Sequence, residues 1–457
     1  MNRLLILLLL LVTLLVPTTS RALTLEEGLK IVSETGRDVK IAESNEAVAR
    51  GTVSLARSAW MPQVNAYGNE TWLKYQPMAK FTTGVNTAIV PTSQDQFLSY
   101  GVTANQLLYD FGKTSSSIDA AQYSLKAREI ETRRARNRSA LDFILAYYDL
   151  LEADKLVTVA AEEVKQYEAH KHDAEVRLSA GVVTRNEVLQ ADVALADSRQ
   201  RFLVADNNRS LSASRINSLL IRPLNESVQA EEVTATPSAG ITLDAAWTVA
   251  ESESPEIQVI DASIRAQQES VKAVRSEYLP TLFLSGGYQY QENEYQVHPG
   301  NWSLIAGATF NLFAGGATDA RVHINASELA GLRTTRNKIV DAVRLDVKGA
   351  YLNLQSSAQQ IEVTRTAVAQ AVENLRLQRL RYQEGVGTAT EVLDAVTLLT
   401  STQTGKLRAQ YGFNRAEAGL LYSMGKDLPG MYIGTAGTSS EAPKPESSTP
   451  SQAPNPQ

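Results

Sequence analysis

The chain lacks cysteine altogether, so no disulfide and no thiolate chemistry contributes to it. Its four histidines, His170, His172, His298 and His323, are scattered. His170 and His172 are two apart, which on a helix turns their rings about 200° from each other. No metal site is expected there. No glycine-rich phosphate loop and no nucleophile–base motif occurs, so neither an enzyme nor a cofactor is expected. The formal charge of −6 becomes −8 once Arg3 and Arg21 of the leader are removed, which disfavours nucleic acid as a partner. Beyond residue 16 no run reaches the length of a transmembrane helix. Aromatics are 7% of the chain, and glycine and proline are missing from long stretches, a composition that favours long helices.

What is present begins with an address. Arg3 precedes the nearly all-apolar run Leu4–Val16, and Ser20-Arg21-Ala22 offers small residues where a signal peptidase reads. Residues 1–22 are therefore read as an export leader. No cysteine follows it to accept a lipid.

The rest of the chain states one pattern twice. Leu23–Pro62 aligns without a gap on Ile241–Pro280 at an offset of 218, and Leu108–Ala191 aligns on Leu312–Ala395 at an offset of 204. Such duplication requires any reading of one repeat to suit the other. The expected organisation is repeat 1 over 23–222, a linker over 223–240 and repeat 2 over 241–433. Residues 434–457, rich in Pro, Ser and Glu, read as a disordered tail.

Each repeat opens with a helix, expected over 26–60 and 242–278, with Pro255 restarting the second. After Pro62 and Pro280 the period changes to two. Leu98, Tyr100, Val102, Ala104 and Leu108 share one face, as do Trp302, Leu304, Ala306, Ala308, Phe310 and Leu312. β-Hairpins are therefore expected over about 64–109 and 282–313, joined by loops over about 75–95 and 292–300. Strands of about ten residues with one apolar face suit a transmembrane barrel. A soluble sandwich hairpin is the bland alternative.

The remainder of each repeat reads as a long helical hairpin, with tips near 177–188 and 381–394. Val157, Ala160, Val164, Tyr167, Lys171, Ala174 and Leu178 recur at 3-4 spacing, the mark of a coiled-coil seam. Ile361, Thr364, Val368, Ala371, Leu375, Gln378 and Tyr382 repeat it. The fold class is thus mainly α with transmembrane β. Four strands cannot close a barrel, and open edges are not tolerated in lipid. Three copies supply about twelve strands, continued by a helical barrel. A secreted coiled-coil scaffold or adhesin rod is the alternative from another class. A diffusion porin has more strands and less helix.

The leader, the duplicated hairpin-plus-helix unit, Arg177-Leu178-Ser179-Ala180-Gly181 and the run from Arg381 to Ala395 resemble the TolC-type outer-membrane efflux family. The resemblance implies a homotrimer in the outer membrane of a Gram-negative bacterium: a 12-stranded barrel above a periplasmic α-barrel. It implies passive export, type I secretion included, with outer-membrane lipid around the barrel. A periplasmic adaptor and an inner-membrane pump of RND or ABC type are the implied partners.

The resemblance also assigns roles at the tips. Glu391 and Asp394 match acidic rings at the periplasmic entrance, although Glu391 in a first helical turn also suits the helix dipole. Tyr382, Glu187 and Asn186 match an entrance latch. The latch arginine corresponds to Gly387, so one clasp contact is either missing here or supplied by Arg185 of the other hairpin. Arg177, Leu178, Gly181, Arg381, Gly385 and Gly387 match the rim that meets the adaptor. Gly181 and Gly385 also suit simple helix termination.

Overall fold

A computed structural model describes residues 22–233 and 240–434. The leader up to residue 21, six residues of the linker and the tail from 435 lie outside the described residues. The elements are α1 (Leu25–Thr35), α2 (Arg37–Ser58), β1 (Gln63–Trp72), β2 (Met78–Thr83), β3 (Asn86–Pro91), β4 (Gln96–Tyr109), α3 (Lys113–Ser179) and α4 (Arg185–Leu219). The second half adds α5 (Leu243–Glu253), α6 (Pro255–Arg275), β5 (Thr281–Gln291), β6 (Gly300–Thr309), α7 (Ala317–Gln383), α8 (Ala389–Ser423) and α9 (Leu428–Gly434). α3 and α7 each run 67 residues, and α4 and α8 each run 35. The contacts divide into two units. One is Met1–Ile41, Arg133–Ser254 and Asp341–Gln457, and the other is Ala42–Thr132 and Pro255–Val340.

The first unit holds the larger core. Leu29 and Val32 of α1, Phe143, Ile144, Tyr147, Tyr148 and Leu150 of α3, Ile216 of α4 and Leu420 of α8 are fully buried. α1 starts in a capping box, Thr24 Oγ1 accepting from Glu27 N–H at 3.1 Å. A strap crosses this core. Leu23 N–H donates to Gln229 O at 2.8 Å and Glu231 N–H to Leu23 O at 3.1 Å. The Tyr147 hydroxyl lies 2.8 Å from Leu23 O and 2.6 Å from Glu231 O, so one proton serves two acceptors. Within the segment 223–240 expected as a linker, Val228 is buried and Gln229 and Glu231 pair with Leu23, while most of the other residues up to 233 are exposed.

The second unit is organised by one antiparallel sheet in the order β1-β4-β5-β6. Tyr100 pairs Tyr290, Ala104 pairs Gly286, and Gly286 pairs Leu304. This register puts the even-numbered residues of β4, β5, β6 and β1 on one face. That face carries Val64, Ala66, Val102, Ala104, Leu284, Tyr288, Trp302 and Leu304. Glu70 is its one acid, near the loop end, where Gln96 donates to it at 2.6 Å. The opposite face holds Asn65, Asn69, Thr103, Asn105, Ser285, Gln289 and Ser303, and no Asp, Glu, Lys, Arg or His. On it, Tyr67 lies over Gly101 and Phe283 over Gly307, where an added Cβ would meet those rings at 2.9 and 2.6 Å. α6 packs on α3 through Ala262, Ala127 and Ile130.

Three local expectations are corrected. The first helix is not continuous: it breaks at Gly36 (φ −51°, ψ 138°), just as the second breaks at Ser254 (φ −56°, ψ 121°). The two positions correspond at the offset of 218, but only Pro255 gave a visible cue. The loop over 75–95 contains a small hairpin, β2–β3, turning at Gly84, whose φ of +66° suits glycine. β6 ends at Thr309 rather than reaching Phe313, because its sole partner β5 begins opposite it at Thr281.

Gly28 sits where an added Cβ would lie 1.9 Å from Phe143 Cζ. Gly28→Ala is expected to destabilise the purified protein by about 1–3 kcal/mol through overpacking. The thermal midpoint of helix unfolding, followed by circular dichroism, measures this, and adding Phe143→Leu should recover part of the loss.

Candidate functional site: the paired hairpin tips

The tips of the two helical hairpins lie in the first unit and pack together. Each long helix stops in the same way. Gly181 takes φ +73° and Gly385 φ +76°. Val182 N–H reaches Arg177 O at 3.0 Å and Gly181 N–H reaches Leu178 O at 2.9 Å, a Schellman motif. In the other hairpin Val386 N–H reaches Arg381 O at 3.0 Å and Gly385 N–H reaches Tyr382 O at 3.2 Å. Both turns leave a valine, Val182 and Val386, projecting into solvent. Gly387 is tight: a Cβ there would stand 3.0 Å from both Arg381 Cβ and Tyr382 N. No longer side chain fits this turn without moving it.

Beneath the turns, Tyr382 is 4% exposed and gathers partners from two other helices. Its hydroxyl donates to Glu187 Oε2 of α4 at 3.4 Å, a long and weak bond. Arg177 of α3 places its guanidinium 4.6 Å from the ring centre and donates to Gln383 O at 2.8 Å. The His170 ring of α3 lies 5.3 Å away. Burial, and then the Glu187 carboxylate, push the Tyr382 phenol above its usual pKa, so it stays a donor. Deeper along the seam the Tyr167 hydroxyl lies 3.0 Å from Thr397 Oγ1, and Arg379 bonds Gln166. Tyr167, Leu195, Leu375, Tyr382, Val392 and Val396 form the apolar cluster that joins the hairpins.

The two repeats use one motif differently. Thr388-x-x-Glu391 closes a full capping box: Thr388 N–H donates to Glu391 Oε2 at 2.8 Å and Glu391 N–H to Thr388 Oγ1 at 3.3 Å. The Thr388 N–H bond, with Arg381 at 3.6 Å, holds the Glu391 carboxyl below the usual glutamate range. Thr184-x-x-Glu187 makes no such box. Glu187 faces Tyr382 instead. Asp394, Arg185 and Asn186 are exposed, and among the described residues their side chains make no hydrogen bond or ion pair.

The structure therefore brings Tyr382, Glu187 and Arg177 together, commits Glu391 to its helix start, and leaves Arg185, Asn186 and Asp394 free. Leu178 is half-buried, and Arg381 is divided between Glu391 and Gln378. Sequence reasoning missed two features. Val182 and Val386 were visible as the residues after the glycines. His170, set aside as scattered, has no periodic signal to mark it as central.

The sequence matches the family described as "Outer membrane efflux protein" over residues 31–220 and 248–426. It is similar to "Outer membrane efflux protein BepC" of Brucella suis biovar 1, 22% identical over 386 residues that span 82% of this chain and 79% of BepC. It is also similar to "Outer membrane protein TolC" of Vibrio cholerae, 23% identical over 399 residues, 82% of this chain and 84% of that protein. Among solved structures, VceC from Vibrio cholerae superposes with a TM-score of 0.75 at 18% identity, covering 88% of this chain and 96% of VceC.

A depressed carboxyl stabilises the folded tip above the ordinary glutamate pKa of about 4.3, and that support is lost as pH falls through the lowered value. Hydrogen-exchange protection at the start of α8, taken relative to the intrinsic rate at each pH, is therefore expected to hold from pH 7 to about 5 and to fall below about 4. Glu391→Gln, which keeps an acceptor but does not titrate, should remove the acid step.

Proposed function

The chain belongs to the outer membrane efflux protein family, and we propose that its unpaired sheet edges close a duct between three copies while its paired tips shut that duct. It is a passive outer-membrane export channel of a Gram-negative bacterium, reaching into the periplasm, and not an enzyme. It works as a trimer with a periplasmic adaptor and an inner-membrane pump. A pump of RND or ABC type is proposed to feed it.

The observation that carries this reading is the four-stranded sheet: apolar on one face, uncharged and polar on the other, with β1 and β6 free at its edges. The apolar face is assigned to lipid and the polar face to the lumen. Hydrogen bonding between β1 of one copy and β6 of the next then satisfies every edge.

The repeats supply a second seam. Buried Leu141 and Tyr148 of α3 correspond to Leu345 and Leu352 of α7, which are 70% and 50% exposed. Within one chain, α8 covers α3 near those residues, with Arg415 of α8 2.8 Å from Asp149 and 2.7 Å from Glu152. By the same geometry α4 of a neighbouring copy covers α7. The counterparts of Arg415 and Asp149 are Leu211 and Asn353, so the joint between copies is the less charged one.

At the entrance, Tyr382 and Glu187 form the latch, with Arg185 and Asn186 beside it in the first turn of α4. Asp394 supplies the freer acidic ring, and Glu391 doubles as a cap. The adaptor rim comprises both glycine turns, with Val182 and Val386 as its apolar points and Arg177, Leu178 and Arg381 behind them. Oppositely charged ions are drawn by such rings.

Two measurements test this. In the cysteine-free chain, Leu211→Cys with Asn353→Cys should give covalent dimers and trimers with a short bismaleimide, and neither single variant should. Monomers only would remove the α4–α7 joint. In planar bilayers Tyr382→Phe should raise the open fraction about two- to fivefold, the worth of one weak hydrogen bond of about 0.5–1 kcal/mol, and Asp394→Asn should reduce cation preference. Resting conductance unchanged in Tyr382→Phe would remove the latch.

A further inference from the structure

His170 is 4% exposed, and its Nε2 is sealed from solvent without a hydrogen-bond partner. It sits on the seam between the hairpins, its ring against Tyr382. The packing of a repeat does not demand a histidine, because the counterpart in repeat 2 is Asn374. A buried imidazole with an idle nitrogen, touching the residue assigned to the latch, is a group whose charge the seam is built to exclude.

We propose that His170 makes the resting entrance acid-sensitive: taking up a proton, it parts the hairpins around Tyr382 and favours the open duct. The inference rests on the latch reading of Tyr382.

The surroundings decide the sign. On α3 itself, Asp173 favours a charged ring, and Arg177 lies on the far partner, Tyr382. From α7 come Arg379, which opposes the charge, and Tyr382. From α4 comes Glu187, beyond the Tyr382 hydroxyl. From α8 the residues in the cluster, Ala389, Val392, Ala395 and Val396, are uncharged. Burial outweighs Asp173, and His170 titrates below the ordinary histidine value. The closed seam therefore binds fewer protons than an opened seam, where the ring is wet and titrates near about 6.5. The closed state is at full strength above that pH and weakens as pH falls below it. Each site can shift the equilibrium by at most about tenfold per pH unit. Three copies of the chain carry three such sites.

The test uses the full-length trimer in planar bilayers and in detergent, between pH 7.5 and 5.0. Wild type should be largely closed at pH 7.5, with an open fraction that rises steeply below about pH 6.5. His170→Asn, the residue of the other repeat, and His170→Phe should both stay flat across the window. Hydrogen-exchange protection over residues 164–171 and 375–382, taken relative to the intrinsic rate at each pH, should fall over the same window in wild type alone. A flat wild-type response, or an equal rise in both variants, overturns the proposal. Tyr382→Phe separates the two readings. If it fails to raise conductance at pH 7.5, the latch reading falls, while the exchange data still decide whether His170 controls the seam. If it opens the duct but wild-type exchange ignores pH, only the histidine proposal falls.

Discussion

A backbone amide in lipid has no water to turn to, and this sheet ends in two rows of such amides. β1 pairs only with β4, and β6 only with β5. Among the described residues no further strand joins this sheet, so its remaining edges have no partner there. The need for copies, the placement of both sheet faces and the existence of a lumen follow from that deficit. The long helices are then obliged to continue a ring whose size the sheet has set.

The joints of that ring differ in chemistry. Inside a chain, α3 and α8 meet through Arg415, Asp149 and Glu152, and through Tyr167 and Thr397. The corresponding positions of the other repeat are Leu211, Asn353, Ser356, Val193 and Ala371, of which Ala371 is buried within the chain. Polar contacts with directional requirements lose much of their worth when geometry changes. Apolar contacts tolerate sliding. The directional contacts of α3 with α8 thus lie inside each protomer, and Tyr382, proposed above as part of the latch, meets Glu187 of α4 nearby in the same protomer.

Much of this was legible in the sequence for a physical reason: strands of period two and helices of period 3.5 bury residues at fixed intervals, and duplication checked each interval twice. β4, over Gln96–Tyr109, was visible because Leu98, Tyr100, Val102, Ala104 and Leu108 alternate along it. The break at Gly36 was hidden because glycine is compatible with a helix, whereas Pro255 announces its counterpart. β2–β3 was hidden because its faces show no clean alternation and stay exposed. At the tip, local sequence treats Thr184-x-x-Glu187 and Thr388-x-x-Glu391 alike. Only the packing of α7 against α4 draws Glu187 away to Tyr382. The importance of His170 is likewise tertiary, since nothing in its own helix distinguishes it from His172, which is exposed.

The glycines beneath Tyr67 and Phe283 have a consequence for whatever travels past them. Each ring reclines in the hollow left by a missing side chain on the neighbouring strand, Gly101 for one and Gly307 for the other. With that face assigned to the lumen, as proposed above, Tyr67 and Phe283 lie flush with the wall instead of standing across the passage, and cargo passing them meets amides and hydroxyls in place of a ledge.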